Sequence, residues 1–357
     1  MSPRNYFKSI ITVVGLASLT KIASAFTTKN PQQQPLRSYM ESYFSVGFSL
    51  QSSYGAAAII FESADGSLET HTRVYEPGIL YQQVMERLSL QSSRHLAPPY
   101  NDDGEFYADM PRQTARMLLR TSGLPASVEV GVLAQTIRHL RSQLESDFSI
   151  SISEAVFTSS HLLALYQDDM EDIAVNVGIK YITPRYQWQP IFWETAAAYA
   201  GHGFGMCKHW QDEDRCRDED LKLPDTTVLS VHYSQNALTV SLAEIQTVFS
   251  TWEPNYRRVE NFTLGSNAIS GYSSLNEYWA DVRGTLLQTM EEYPLFTKPQ
   301  LIIVTGIMTD GYLVDFLKST MSDYLGKLPK LISTNTEVVA AMGAAEFMRR
   351  RLPKYSY

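Results

Sequence analysis

The chain has 357 residues, 44% hydrophobic and 19% charged, with a formal net charge of −8 and only two cysteines. That length suffices for two units of ordinary domain size around a sizeable core, and the acidic balance argues against a protein that grips the phosphate backbone of a nucleic acid. No internal stretch approaches the ~20 apolar residues a membrane-spanning helix requires.

Residues 1–25 read as a secretory signal peptide: Arg4 and Lys8 precede the apolar run Ile10 to Leu19, and Ala23, Ser24 and Ala25 form a small-residue cleavage site before Phe26. A one-pass anchor is the alternative, for which the run is short. Residues 26–41 are rich in Pro and Gln, without periodicity, and are expected to be a flexible lead-in. Val46 to Phe61 holds two strand-like runs broken at Ser52 to Gly55, the pattern of a hairpin whose turn presents backbone amides. Helical spacing follows at Leu80, Val84 and Leu88, then a loop over Ser92 to Pro111. A second helix over Val128 to Leu144 aligns Val132, Ile137, Leu140 and Leu144, and a strand is expected over Glu154 to Thr158. This alternation predicts an α/β layer architecture.

Cys207 and Cys216 enclose a short acidic loop of the kind a disulfide staples in an exported protein. A zinc site from His202, Cys207, His209 and Cys216 is the alternative, and its spacing matches no common ligand pattern. Beyond Pro224, the expectations are a hairpin (Val228 to Val231, Leu238 to Ile245), a helix over Leu275 to Tyr293, a buried strand over Leu301 to Val304, and helices over Tyr312 to Leu325 and Glu337 to Arg351. Asn261, Phe262 and Thr263 form a glycosylation sequon, which in a secreted chain places Asn261 at the surface. Arg349, Arg350 and Arg351 sit where cations offset a helix dipole. Asp168 with Asp169, and Glu291 with Glu292, read as solvated helix faces rather than a catalytic carboxylate pair; His161 near Asp168 and Asp169 has the outline of a general base but no nucleophile at a recognisable spacing.

Several segments, in order, resemble the nucleotide-binding domain of heat-shock protein 70, of the actin-like ATPase superfamily. Ser49-Leu50-Gln51-Ser52-Ser53-Tyr54 stands where that family carries Asp-Leu-Gly-Thr-Thr-Tyr in its first phosphate loop. Glu154 to Lys180 is similar to a strand, turn and helix of the family, and Glu194 to Gly201 is similar to its lobe-connecting Glu-Pro-Thr-Ala-Ala-Ala helix. Val228 to Leu242 resembles the second phosphate loop, Leu301 to Ile307 the adenosine segment, and Glu337 to Ala345 the closing helix. The resemblance implies a two-lobed ribonuclease H-like fold, with the first lobe over 42–203, a disulfide loop and linker over 204–223 and the second lobe over 224–353. The second-lobe helical subdomain is expected to be much reduced, because only a few residues separate Gly265 from Tyr272, and no peptide-binding domain is expected.

Mg-bound triphosphate needs acids for the metal's waters and glycine-lined backbone for the phosphates. Here the family's first Asp position holds Ser49, the second falls on His232, and the glycine turn is replaced by Ser234, Gln235, Asn236 and Ala237. What remains is Ser52, Ser53 and Tyr54 of the first turn, Glu194 where the family positions its attacking water (or, equally, a plain helix cap), Gly306 and Gly343. These replacements imply a secreted, non-catalytic pseudo-ATPase that acts as a binding or interaction module, with an unidentified protein or small molecule in the interlobe cleft and no resident metal or cofactor. The alternatives are a divergent ATPase using Mg-ATP or Mg-ADP, and a cochaperone-like factor of the endoplasmic-reticulum lumen.

Overall fold

An alternating strand and a continuously apolar one, joined by a tight turn, build the first hairpin: β1 (Tyr43–Leu50) runs antiparallel to β2 (Gly55–Glu62). The computed structural model describes residues 43–183, 191–249, 256–291, 298–308 and 311–350. The expected signal peptide and lead-in, and also Tyr293, Glu292 and Arg351, lie outside these. A third strand, β3 (Leu68–Tyr75), pairs with β2 at the sheet edge, and β4 (Glu154–Ser159) pairs in parallel with β1. With β5 (Lys180–Tyr181) the strand order is β3-β2-β1-β4-β5, and β6 (Phe192–Trp193) also pairs with β4.

A second sheet follows. β7 (Thr226–Tyr233), β8 (Leu238–Ile245) and β9 (Tyr256–Asn261) form an antiparallel meander, and β10 (Leu301–Thr305) and β11 (Lys330–Ile332) add in parallel beside β7. Its order, β9-β8-β7-β10-β11, repeats that of the first sheet in both sequence of strands and direction of pairing. The chain is thus a mixed α/β protein with two mixed sheets, and all described residues fall in one compact unit.

Helices cover both sheets. α1 (Ile79–Ser89), α3 (Val128–Phe148) and α4 (Gln167–Val177) bury their apolar faces on one side of the first sheet, around Phe48, Ile59 and Phe157. α7 (Leu275–Glu291) and α8 (Gly311–Leu325) do the same on the outer side of the second, around Leu229, Val240 and Val304. Between the sheets lie α5 (Glu194–Gly201) and α9 (Val339–Arg350), whose small residues Ala196, Ala197, Ala340 and Ala344 join Val228 and Ile303 in one core. The two helices cross so closely that a Cβ added to Gly343 would lie 1.7 Å from the Ala197 carbonyl oxygen.

Several expectations need correction. The loop expected over Ser92 to Pro111 ends early, because Asp102 accepts a bond from the Glu105 amide and caps α2 (Asp103–Thr121), which continues through an exposed Pro111. Strands β3 and β9 carry too little buried apolar alternation to stand out in the sequence. On α1, Leu80 is exposed while Tyr81, Val84, Met85 and Leu88 are buried. Asp168 and Asp169 are not a solvated face: Arg112 reaches Asp168 at 3.0 Å and Arg116 reaches Asp169 at 2.7 Å. Arg116 and Arg120 also bridge to Asp172, at 2.5 and 2.7 Å. Arg349 does more than offset a dipole, since it is buried against Glu346 and Glu62 and covers the Trp210 ring.

The cysteines are joined as expected, Cys207 to Cys216 with Cα atoms 5.1 Å apart. Their sulfurs are thereby spent, so neither the zinc alternative nor the grouping of these two with Asp220 can offer thiolate ligands. Part of the stapled segment is helical: α6 (Glu213–Asp220), capped by Asp212, carries Cys216. Asn261 ends β9 at the edge of the second sheet, and its side-chain oxygen accepts bonds from the Thr263 amide and hydroxyl at 2.9 and 2.7 Å.

Candidate functional site

Period-two alternation decides which side chains meet between the sheets. On β1, Val46, Phe48 and Leu50 enter the outer core, so Ser45, Gly47 and Ser49 face inward. On β7, Leu229, Val231 and Tyr233 point to the outer helices, which turns Val228, Ser230 and His232 toward α5. Thr305, at the end of β10, lies beside His232 in the parallel ladder. The β1–β2 turn is closed by the Gln51 amide donating to the Tyr54 carbonyl at 2.9 Å. Tyr81 of α1 holds it from behind, its hydroxyl donating to the Gln51 carbonyl at 2.7 Å.

These placements bring Ser49, Ser52, Glu194, His232 and Ser234 into one buried polar cluster. His232 Nδ1 lies 2.9 Å from Glu194 Oε1, and its Nε2 lies 3.0 Å from Ser52 Oγ. Ser52 Oγ is in turn 2.7 Å from Ser234 Oγ, which the Ala237 amide reaches at 3.2 Å. The Ala237 amide donates to Ser234, whose own hydroxyl donates to Asn236 Oδ1 at 2.9 Å, while the direction of the Ser52 contacts to Ser234 and to Nε2 follows from the protonation of the imidazole. Asn236 ties the same two turns together, its amide donating to the Ser52 carbonyl at 3.0 Å. Tyr54 lies over the imidazole with ring centroids 6.2 Å apart.

Glu194 is the hub, and capping α5 is not its role. Thr305 and Ser160 donate to it at 2.5 and 3.1 Å, and Gln51, with its amide nitrogen turned to the acid, donates to both carboxylate oxygens at 3.1 and 3.0 Å. Ser49 then donates to the Gln51 amide oxygen. Burial alone would raise the Glu194 carboxyl, but attraction to His232 and the bonds from His232, Thr305 and Ser160 outweigh it and hold the group below its ordinary value. An ionised acid is therefore buried here with every lone pair directed at a donor.

Beside this hub lies a smaller polar group. His161 Nε2 lies 3.0 Å from Thr195 Oγ1, and its ring stacks on Trp193. Burial, with the Arg258 charge adding to it, depresses the His161 pKa well below its ordinary value. Since Asp168 and Asp169 are engaged by arginines, the general-base outline around His161 does not hold. Burial raises Glu260 on β9 to about 7, against the lowering influence of Arg258 and the backbone. Glu194, His232, His161 and Glu260 border a cavity of about 10 Å³, room for at most one water.

Gly306 and Gly343 stand apart from the cluster. Gly306 has φ 109° and abuts the Tyr233 carbonyl, where a Cβ would lie 2.1 Å from the oxygen. Gly343 serves the α5–α9 crossing. Ser53 is buried in the first turn. Sequence reasoning missed Gln51, Ser160 and Thr305, which are ordinary polar residues until the fold aims them at Glu194. Neither a family model nor a curated protein matches the chain.

The order Ser52, His232, Glu194 has the connectivity of a nucleophile, base and orienting acid. Its burial, with Ser52 at 0% and His232 at 1% exposure, leaves no site for an acyl group beside Ser52 Oγ. Nor do these residues fit a Mg-bound nucleotide: both turns that would receive phosphates touch each other through side chains, and no carboxylate stands at Ser49 or His232 to hold the metal's waters. As it stands, the arrangement clasps the two sheets together.

Proposed function

We propose that the protein is a secreted, degenerate relative of the actin-like ATPases, similar in plan to the heat-shock protein 70 nucleotide-binding domain, and that it works as a non-catalytic binding or interaction module. The repeated strand order of the two sheets supports the fold reading, as does the α5–α9 pair between them. One observation carries the functional reading: Ser52 of the first turn bonds directly to His232 and Ser234 of the second, at 3.0 and 2.7 Å, where a nucleotide-binding relative needs open space. A ligand in the cleft requires this clasp to open, so partners meet the outer surface of a fixed body.

The disulfide, and the sequon at an edge strand, agree with export. Expression in a eukaryotic host is expected to deliver a chain beginning at Phe26, glycosylated at Asn261, to the medium; retention in the endoplasmic reticulum would favour the cochaperone alternative. Calorimetry with Mg-ATP and Mg-ADP tests the central claim. No saturable heat is expected, whereas micromolar, magnesium-dependent binding with phosphate release lost in Glu194→Gln would replace this reading with the ATPase one.

A further inference from the structure

The helix α2 is amphipathic in reverse. Its arginines turn toward α4, where Arg112, Arg116 and Arg120 bridge to Asp168, Asp169 and Asp172 at 2.5 to 3.0 Å. Facing solvent are Phe106, Tyr107, Met110, Met117 and Leu118, each between 41 and 65% exposed. At about 100° per residue these five fall in one stripe about 120° wide. No exposed residue from Phe106 to Leu118 carries a charge.

Area and charge bear on what covers this stripe. The five side chains leave roughly 500 Å² uncovered on one copy, so two copies pressed face to face bury about 1,000 Å², the lower bound for a specific interface. Pro111 and Thr114, also exposed, lie in or beside the stripe and add to this. A lipid surface fits less well. Helices that lie on membranes present lysines and arginines to the headgroups, whereas the arginines of α2 are balanced by Asp109 and the three α4 aspartates, and the chain carries a net charge of −8.

Along its length the stripe is self-complementary. Phe106 and Tyr107 stand at one end, Met117 and Leu118 at the other. Two antiparallel copies related by a two-fold axis level with position 112 therefore set Phe106 against the second copy's Leu118, Tyr107 against its Met117 and Met110 against its Thr114. The ends match in charge: Asp103, exposed in the first turn, comes level with Thr121 of the second copy and within one turn of its Arg120, and the helix dipoles oppose each other. A parallel pair would set Asp103 against Asp103. Because the bridges to α4 fix α2 before contact, association carries little ordering cost.

We infer that the outer face of α2 is a homodimer interface, an antiparallel helix pair between two copies of this chain. The inference does not depend on the reading of the clasp. Sedimentation velocity on the intact, oxidised protein from about 1 to about 100 µM tests it, and the mass is expected to rise from one chain to two across that range. Leu118→Glu and Tyr107→Glu, both at exposed positions, should each weaken the dimer by at least about tenfold, with circular dichroism identifying the variants that remain folded. A mixture of Tyr107→Cys and Met117→Cys chains should cross-link through a short bismaleimide, and either chain alone far less, since like positions lie about 15 Å apart along the axis. The inference is overturned if the protein stays monomeric throughout, if either folded glutamate variant dimerises like the parent, or if each cysteine chain cross-links to itself as readily as in the mixture. It is equally overturned if neutral phosphatidylcholine vesicles take up a monomeric protein and Leu118→Glu abolishes that uptake.

Discussion

His232 Nδ1 and Glu194 Oε1 lie 2.9 Å apart although one belongs to the second sheet and the other to the helix that follows the first. Their bond spans the two halves of the molecule at a depth where each side chain is almost fully buried. His232→Ala leaves the carboxylate without its chief partner and should destabilise the protein by about 3 to 5 kcal/mol. Glu194→Gln keeps much of the hydrogen bonding and should cost less, about 1 to 2 kcal/mol. Urea titrations of both variants and the double variant check this, with the double falling short of the sum.

Fluorophosphonate reagents should leave Ser52 unmodified in the native protein. Mass spectrometry after incubation reads the outcome. Adduct formation that vanishes in Ser52→Ala would mean that the clasp opens and that the relay acts as a hydrolase.

Stability should fall on the alkaline side of mild acidity because of Glu260. Its folded pKa, about 7, exceeds its ordinary value of 4.5, so the native state holds the proton more tightly than the unfolded chain. The contribution is full below about pH 4.5 and declines until about pH 7, by roughly 3 kcal/mol at most. Glu260→Gln should flatten denaturation midpoints across that interval. Glu194 acts oppositely, since its depressed pKa gives stability at neutral pH that is lost as acid protonates it.

Replacing both cysteines by serine should lower stability by about 2 to 3 kcal/mol, the loop-closure contribution for so short a ring. The two cysteines are nine positions apart. Thermal melts of the parent with and without reductant provide the comparison.

Gly343→Ala should prevent folding or cost more than about 3 kcal/mol, since the new methyl would meet the Ala197 backbone and not a movable side chain. Circular dichroism of the purified variant decides. Ala344→Gly, in the same core, should be mild by comparison.

Much of this architecture was legible from spacing. The hairpin around Ser52 and the strand at Leu301 follow from local apolar patterning and turn residues, which the fold preserves, whereas the helix from Glu194 was expected only through the family resemblance. Strands whose partners supply the reason for their existence were not: β3 and β9 are edge strands with mixed exposure. α2 escaped notice because its inward face is built of arginines, while Phe106, Tyr107, Met117 and Leu118 point to solvent, the reverse of the usual helical pattern. The cluster was half visible. Ser49, Glu194 and His232 could be named from a resemblance to a phosphate site, but only tertiary placement discloses that Ser52 spans the gap and that Gln51, Ser160 and Thr305 converge on one acid.

The crossing of α5 and α9 has a mechanical corollary. Where backbone meets backbone there is no layer of pliable side chains to act as a bearing, and sliding one helix along the other would drive main-chain atoms together. The joint has no play, and whatever engages both sheets at once encounters a preset stencil that forfeits little freedom on contact.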